Sequence, residues 1–184
     1  TQVLVNGTPA PLIYVSSTQI NAIVPYQAGT TGSASLQVLS AGVPSGAWNI
    51  PLAGAAPAIF SIASNGLGQG AVLNQDNSVN GPSNPAPRGT LVQIYATGEG
   101  LTSPPGVTGS VTGSNTKSPI PPVNVTIGGV SAAVQYDGSA PDAVAGLFQV
   151  NAVVPAGAAP GPAVPITLTV GGAASPSGVT IAVK

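Results

Sequence analysis

The sequence has no cysteine, no histidine and no methionine, and only seven of its 184 residues carry a charge. Without imidazole or sulfur ligands, zinc, copper, haem and iron–sulfur sites are effectively excluded. The same absences remove the usual general base and the thiolate nucleophile of enzymes. We therefore expect no cofactor and no metal site, and the sequence predicts a protein that is not an enzyme.

Positive charge is especially scarce, since the only cations are Arg88, Lys117 and Lys184 and the formal net charge is −1. Binding to nucleic acid depends on Lys and Arg side chains that neutralise phosphates, so no nucleic-acid partner is expected. Charged residues make up 4% of the chain, against ~25% in typical soluble domains. A net charge near zero promotes association, which favours assembly with other protomers or a covalent glycan coat.

Long apolar runs are missing as well. Hydrophobic residues make up 43% of the chain, but they are mostly small and are interrupted every few positions by Gly, Pro, Ser, Thr or Asn. No stretch approaches the ~20 residues of a membrane helix, so we expect no membrane span. The hydrophobic content is still too high for a disordered chain. Because disulfides are excluded, core burial and assembly remain as the stabilising contributions.

What the sequence does contain is short alternation of apolar and polar residues, punctuated by 25 Gly and 20 Pro. This pattern predicts short strands at intervals of roughly 8–12 residues, with no helix and with a hairpin tip at Asp76-Asn77. The predicted strands are Gln2–Val5, Leu12–Val15, Gln19–Ile23, Ala34–Leu39, Ala47–Pro51, Ala58–Ile62, Ala71–Gln75, Thr90–Ala96, Val123–Ile127, Ala132–Tyr136, Gly146–Val153, Pro165–Val170 and Val179–Val183.

An internal duplication organises these strands. The segment 3–14 matches 125–136 at an offset of 122, QINAIVP (19–25) matches QVNAVVP (149–155) at an offset of 130, and from Leu36 onward the offset is 132. We interpret residues 53–184 as a complete module and residues 1–52 as the second half of another. The predicted fold is all-β, with two tandem immunoglobulin-like antiparallel β-sandwich domains, the first incomplete within this chain.

Several long strings carry a resemblance to a known family. They are APLIYVSSTQINAIVPYQ (10–27), QGAVLNQDNSVNGPSNPAPRGTLVQIYATGEGL (69–101), VTIGGV (125–130), LFQVNAVVPAG (147–157) and VPITLTVGG (164–172). Together they resemble the Solibacter-type C-terminal domain of secreted acidobacterial proteins, over nearly the whole chain. The resemblance implies a bacterial, exported, all-β tandem module with no assigned activity. The family pattern continues upstream with a further strand pair that this chain lacks.

Polar residues offer few candidates for chemistry. Glu99 is the only Glu, in the turn Thr97–Gly100, and Asp76, Asp137 and Asp142 lie on separate predicted turns. Acids on turns without a shared motif are expected to be solvated caps rather than the paired carboxylates of a glycosidase.

A polar pair recurs in the duplication, as Gln19 and Asn21 and again as Gln149 and Asn151. Two interpretations stay open, a repeated ligand site and side chains that satisfy loop backbone groups; the second is the more common role of buried amides.

The segment 103–122 is rich in Pro, Ser and Thr and is predicted to be a long surface loop. Such composition is typical of O-glycosylated segments. The hypothesis places O-linked glycans on Thr108, Ser110, Thr112, Ser114 and Thr116. The pattern N-x-Ser/Thr also marks Asn6 and Asn124 as weaker N-linked candidates.

These observations lead to one functional hypothesis and one alternative. The first is a non-enzymatic extracellular or cell-surface structural protein, a homopolymeric fibre subunit joined head to tail by β-strand complementation. The alternative is a spacer or a carbohydrate- or cell-surface-binding module of a larger secreted protein. The predicted assembly interface comprises Gln2, Val3, Leu4, Val5, Leu12, Ile13, Ile20 and Ile23.

Overall fold

The computed structural model describes residues 1–184 as an all-β chain, with 49% of the residues in strands and no α-helix. A single 3₁₀ turn lies at Tyr26–Ala28, and no helix is long and apolar enough to span a membrane. The strands are β1 (Gln2–Val5), β2 (Thr8–Ala10), β3 (Leu12–Val15), β4 (Ile20–Ala22), β5 (Ser33–Ser40), β6 (Val43–Pro44), β7 (Trp48–Pro51), β8 (Ala58–Ile59), β9 (Gly68–Gln69), β10 (Val72–Asn74), β11 (Leu91–Thr97), β12 (Thr102–Ser103), β13 (Ser118–Pro119), β14 (Val123–Ile127), β15 (Val130–Ala132), β16 (Val134–Ser139), β17 (Phe148–Val153), β18 (Gly161–Val170), β19 (Ala173–Ala174) and β20 (Val179–Val183).

The main core lies between two sheets built from residues after position 57. One sheet has the order β10-β11-β17-β16, with β8 also paired to β11; the other has the order β15-β14-β18-β20-β9, with β19 paired to β18. All of these pairs are antiparallel except β20 with β9. Twenty-one buried hydrophobic residues form one cluster, of which Phe148 is the largest fully buried member. This arrangement is consistent with a β-sandwich.

The first 52 residues form a much thinner structure. Their main sheet has the order β2-β1-β5-β6, with β7 paired to β5, and β3 and β4 form a separate two-stranded sheet. Only Val3, Val5, Ala10 and Ala34 are buried in the core of this part. Half-buried side chains such as Leu12 pack around them, so this unit covers its apolar residues incompletely.

The strand pairs of the first unit recur in the second. The pairs β1–β2, β1–β5 and β3–β4 correspond to β14–β15, β14–β18 and β16–β17. A register shift lies at the same place in both hairpins, between Leu12 and Tyr14 and between Val134 and Tyr136.

One hydrogen-bond pattern corrects the offset predicted for the last part of the duplication. Ser45 donates its N–H to the Val38 carbonyl and accepts from the Val38 N–H through Oγ, and Ser175 does the same with Leu168. Both pairs are 130 positions apart, so the predicted offset of 132 was wrong by two residues. Ser and aliphatic residues recur two positions apart in this part of the sequence. A match shifted by two residues therefore keeps the alternation of side chains but gives the wrong strand register.

The segment 103–122 has structure of its own. It contains β12 and β13, Thr112 exchanges backbone hydrogen bonds with Asp142 and Ala143, and Val111 forms a bridge with Val144. At the other predicted turn, Asn77 adopts a positive φ of 64° beside Asp76. The Asp76-Asn77 hairpin tip is therefore confirmed.

Asn80 provides a test of what holds the last strand in place. Its amide donates to the Asn74 side chain and the Ala182 carbonyl, both at 2.9 Å, and accepts from the Ala182 N–H at 2.8 Å. We expect Asn80→Ala to lower the free energy of unfolding by about 2–4 kcal/mol, because it leaves the buried Ala182 N–H of β20 and the Asn74 side-chain oxygen unpaired. The Ala182 carbonyl keeps its hydrogen bond from the Ala86 N–H. Urea denaturation measures the loss of stability. Asn124→Ala, on an exposed strand position, is the control and should change stability little.

Candidate functional site

The strand β4 has an open edge. β4 pairs with β3 and with no other strand, whereas its counterpart β17 pairs with both β16 and β11. In the first unit Ile23 donates its N–H to the Pro11 carbonyl of the β3 side, as Val153 does to Ala133. The next residue in the second unit, Val154, donates to Thr90 on the β11 side at 2.9 Å.

The equivalent N–H of Val24 has no hydrogen-bond partner. Because backbone groups of a strand point alternately to its two neighbours, Ile20 and Ala22 also direct their N–H and C=O groups to the open side. The edge of β4 therefore presents a row of unpaired backbone groups, the usual template for adding another strand.

Side-chain exposure shows the same difference between the two units. Val150, Ala152 and Val154 of the second unit are all 0% exposed. Their counterparts in QINAIVP are half-buried Ile20, exposed Ala22 and Val24, which is 54% exposed. The two sequences are nearly identical, so the exposure arises from what is missing beside β4 and not from the composition of the strand.

The other strand of this hairpin adds apolar surface. Ile13 and Val15 are exposed, and they occupy the positions that Gln135 and Asp137 occupy in the second unit. Tyr14 beside them is 50% exposed. We call the surface formed by β3, β4 and Val24 the acceptor edge.

Nothing in the first unit protects this edge electrostatically. Residues 1–52 contain no Asp, Glu, Lys or Arg, although exposed sheet edges in soluble proteins commonly carry such charges to prevent pairing. The acceptor edge is therefore uncharged, apolar and unpaired along its backbone.

The interface residues predicted from sequence fall into two groups. Val3 and Val5 are buried in the first unit's own core, and β1, from Gln2 through Leu4 to Val5, is paired on both sides by β2 and β5. The predicted interface included β1, but these two neighbours already satisfy its backbone. The remaining predicted residues, Leu12, Ile13, Ile20 and Ile23, lie on or next to the hairpin β3–β4.

A second feature lies where the first unit meets the second. The backbone N–H of Tyr26, in the 3₁₀ turn, donates to Thr108 Oγ1 at 3.1 Å, and Thr108 Oγ1 donates to Gln27 Oε1 at 3.2 Å. A Cβ on Gly106 would collide with the Tyr26 ring. The Pro-rich segment therefore serves as the docking surface for the 3₁₀ turn.

Glu99 is buried at this junction, with 3% of its surface exposed. The connecting segment, residues 54–56 between the two units, crosses directly over Glu99. A Cβ on Gly98 would collide with the Ala56 carbonyl, and a Cβ on Gly100 would collide with the Gly54 carbonyl. Both glycines also have a positive φ of 78°. The expectation that Glu99 is a solvated turn acid was wrong, since the connecting backbone shields it from water.

Neither oxygen of the buried carboxyl has a partner within 3.5 Å in hydrogen-bond geometry, although the Tyr26 hydroxyl lies close enough to act on it. Burial raises the pKa of Glu99 to about 7, and the Tyr26 hydroxyl and the Lys117 charge oppose that shift only in part. Burial and the nearby Glu99 also raise the pKa of Tyr26. Around neutral pH the junction therefore holds a carboxyl that is poised between its neutral and charged forms.

The chemistry that these groups can perform is limited. Nowhere do three or more His, Cys, Asp or Glu residues form a cluster that could hold a metal ion.

The repeated polar pairs bond internally. Gln19 donates to Asn21 at 2.7 Å and Gln149 donates to Asn151 at 2.9 Å. In each pair the two amides therefore bond each other. They do not bond the loop backbone groups, which one of the two interpretations proposed as their partners.

The other acids differ from one another. Asp76 is a turn cap that accepts from the Ser78 hydroxyl and from the Ser78 N–H, and these two hydrogen bonds, the hydroxyl's first, lower its pKa. Burial raises the pKa of Asp137 in β16, and Asp142 is exposed at a positive φ of 57°.

The predicted glycosylation residues differ in accessibility. Thr112 is buried, and the hydroxyls of Thr108 and Ser110 are engaged with Gln27 and with the Val107 carbonyl. The accessible members of the set are Ser114, Thr116, Asn6 and Asn124. Asn6 also accepts a hydrogen bond from the Ser35 N–H.

Comparison with protein-family models, curated proteins and solved structures found no match to this chain.

The Glu99 carboxyl predicts a characteristic pH dependence. Its pKa is about 7 in the folded chain against a usual 4.5, so the folded state binds the proton more tightly. The free energy of unfolding should therefore fall, by up to about 3 kcal/mol, as the pH rises from about 4.5 to above 7. Urea denaturation at several pH values measures this fall.

The variant Glu99→Gln should remove most of that fall, because an amide does not ionise. Asp142→Asn makes the same chemical change at an exposed carboxyl and should leave the pH dependence as it is in the wild type. Equal slopes for Glu99→Gln and the wild type would contradict the assignment.

Proposed function

We propose that this protein is a non-enzymatic structural protein of the cell exterior, whose copies join head to tail when an extended strand of one protomer pairs with the acceptor edge of the next. The observation that carries the proposal is the contrast between β4 and β17. Nearly identical sequences have fully buried side chains in one unit and half-buried or exposed ones in the other. Covering the acceptor edge would pair its backbone groups and remove apolar side chains from water.

The composition supports a passive role. A chain with three basic and four acidic side chains and no histidine or cysteine has few groups for positioned acid–base or nucleophilic chemistry. The placement outside the cell rests on the resemblance to secreted acidobacterial domains. The immunoglobulin-like description of the two units belongs to the same proposal.

The geometry of such a contact determines the form of the assembly. An acceptor edge that receives a different surface of the next protomer makes a heterologous contact, which repeats without closing and gives filaments. Two acceptor edges that pair with each other would instead give a closed dimer. A strand supplied within a longer polypeptide would give a monomeric spacer module.

Ala22→Pro tests this proposal directly. Proline removes the N–H that Ala22 directs to the open side, and an outward-facing proline is tolerated on an edge strand. We expect the wild type to form filaments in negatively stained micrographs and to show a mass that rises with concentration in light scattering. The variant should need at least about ten-fold more protein to assemble.

Ala22→Val is the matched control, because it keeps the N–H and is expected to assemble like the wild type. Circular dichroism and thermal unfolding of all three proteins establish that the variants are folded. A wild type that stays monomeric at every concentration, or that stops at a dimer, would overturn the filament proposal.

A further inference from the structure

We infer that the acceptor edge is selective for one kind of strand: an extended segment that runs antiparallel to β4 and presents β-branched apolar side chains opposite Ile20 and Ala22. The inference deepens the proposed function and rests on the same edge. The duplication supplies the template, because the second unit contains the strand that the first unit lacks beside β4, namely β11.

The register follows from the pairs that β11 makes with β17. In the second unit Val92 lies opposite Ala152 and Ile94 opposite Val150. At the offset of 130 between QINAIVP and QVNAVVP, Ala152 corresponds to Ala22 and Val150 to Ile20. An added strand in the same register would therefore place the position of Val92 opposite Ala22 and the position of Ile94 opposite Ile20. The Thr90 carbonyl position then lies beside Val24, whose N–H is unpaired.

The side chains of β11 define the chemistry of the incoming strand. Val92, Ile94 and Ala96 are all 0% exposed and belong to the main core, whereas Gln93 and Tyr95 alternate with them and are half-buried. A strand in the corresponding place beside β4 would direct its apolar residues toward the small core formed by Val3 and Val5. That core has only four buried residues, against 21 in the main core.

The contact should depend on backbone pairing and apolar burial rather than on charge, because residues 1–52 carry no charged side chain. Polar side chains at the two inward positions would be buried beside Ile20 and Ala22 without partners, which is costly. Polar side chains at the outward positions would remain in water. The acceptor edge should therefore prefer a strand whose apolar side chains alternate so that they face inward. It should disfavour the same sequence shifted by one residue, which would turn its polar side chains inward.

A synthetic peptide tests the inference. The probe is TLVQIYATG, the sequence of residues 90–98, extended by two lysines for solubility and labelled with a fluorophore. Fluorescence anisotropy with the full-length protein, at concentrations below its own assembly, should show saturable binding. Asparagine at the Val92 and Ile94 positions should weaken binding at least about ten-fold, and asparagine at the Gln93 and Tyr95 positions should not.

Hydrogen exchange measured by NMR gives a second readout. Bound peptide should slow exchange of the Ile20, Ala22 and Val24 amides, which face the open side, and leave the Asn21 amide unchanged. Binding should be lost in Ala22→Pro and kept in Ala22→Val. Equal binding of the inward and outward asparagine peptides, or protection of amides elsewhere, would overturn the inference.

The outcomes separate this inference from the proposed function. Peptide binding by a protein that forms no filaments would support the register and chemistry of the edge and overturn the homopolymer. Filaments that depend on Ala22 in a protein that does not bind the peptide would support strand complementation and overturn the β11-like chemistry.

Discussion

The pairing of backbone groups beside the QxNAxVP strand is the constraint on which the rest of this structure depends. In the second unit, β17 is the centre of a sheet: β16 satisfies one side, β11 the other, and the apolar face covers a core of 21 buried residues. In the first unit, the same strand has one neighbour and a core of four buried residues. The thin core and the exposed apolar surface both follow from missing strands, since the first unit has no counterpart of β11 or of the strands β8 and β10 that pair with it. A sheet face is covered only where the opposite layer is complete.

The junction between the units shows how closely the chain couples them. The connecting segment crosses Gly98 and Gly100 at distances that allow no side chain, and the Tyr26 ring lies against Gly106. Glycine is required at the first two positions for a second reason, since both have a φ that other residues rarely adopt. This close approach excludes water from Glu99, and so the same contacts that fix the two units together place an ionisable group between them.

Much of the strand pattern could be predicted from local sequence. The bounds of Gln2–Val5, Leu12–Val15, Val123–Ile127 and Val179–Val183 agree with the structure, because alternation and flanking turn residues define these strands locally. The strands Thr8–Ala10, Thr102–Ser103 and Ser118–Pro119 were not predicted. They are two or three residues long, contain or adjoin proline, and exist because a neighbouring strand pairs with them.

The candidate site was less accessible from sequence. The duplication indicated that strands were missing beside the first unit, but the predicted interface combined β1 with residues of the β3–β4 hairpin. The pairing of β1 with both β2 and β5 leaves β4 as the strand with an open edge. The burial of Glu99 depends on residues 54–56, which precede it by more than 40 positions, and Tyr26 lies further still from it in the sequence. No window around TGEGL contains these contacts. The glycines on both sides of Glu99 were the available signal, since paired glycines often mark a close approach of backbone.

The lack of charge in residues 1–52 has a consequence for how the first unit behaves before its edge is covered. Salt screens interactions between charges. Because residues 1–52 have no charged side chain, a change in salt concentration should not alter the attraction at this surface through screening. The attraction at this edge comes instead from the hydrophobic effect, because the exposed valine and isoleucine side chains are in contact with water. In the proposed assembly, this apolar surface is exposed from the moment the β3–β4 hairpin forms until a strand of another protomer covers it.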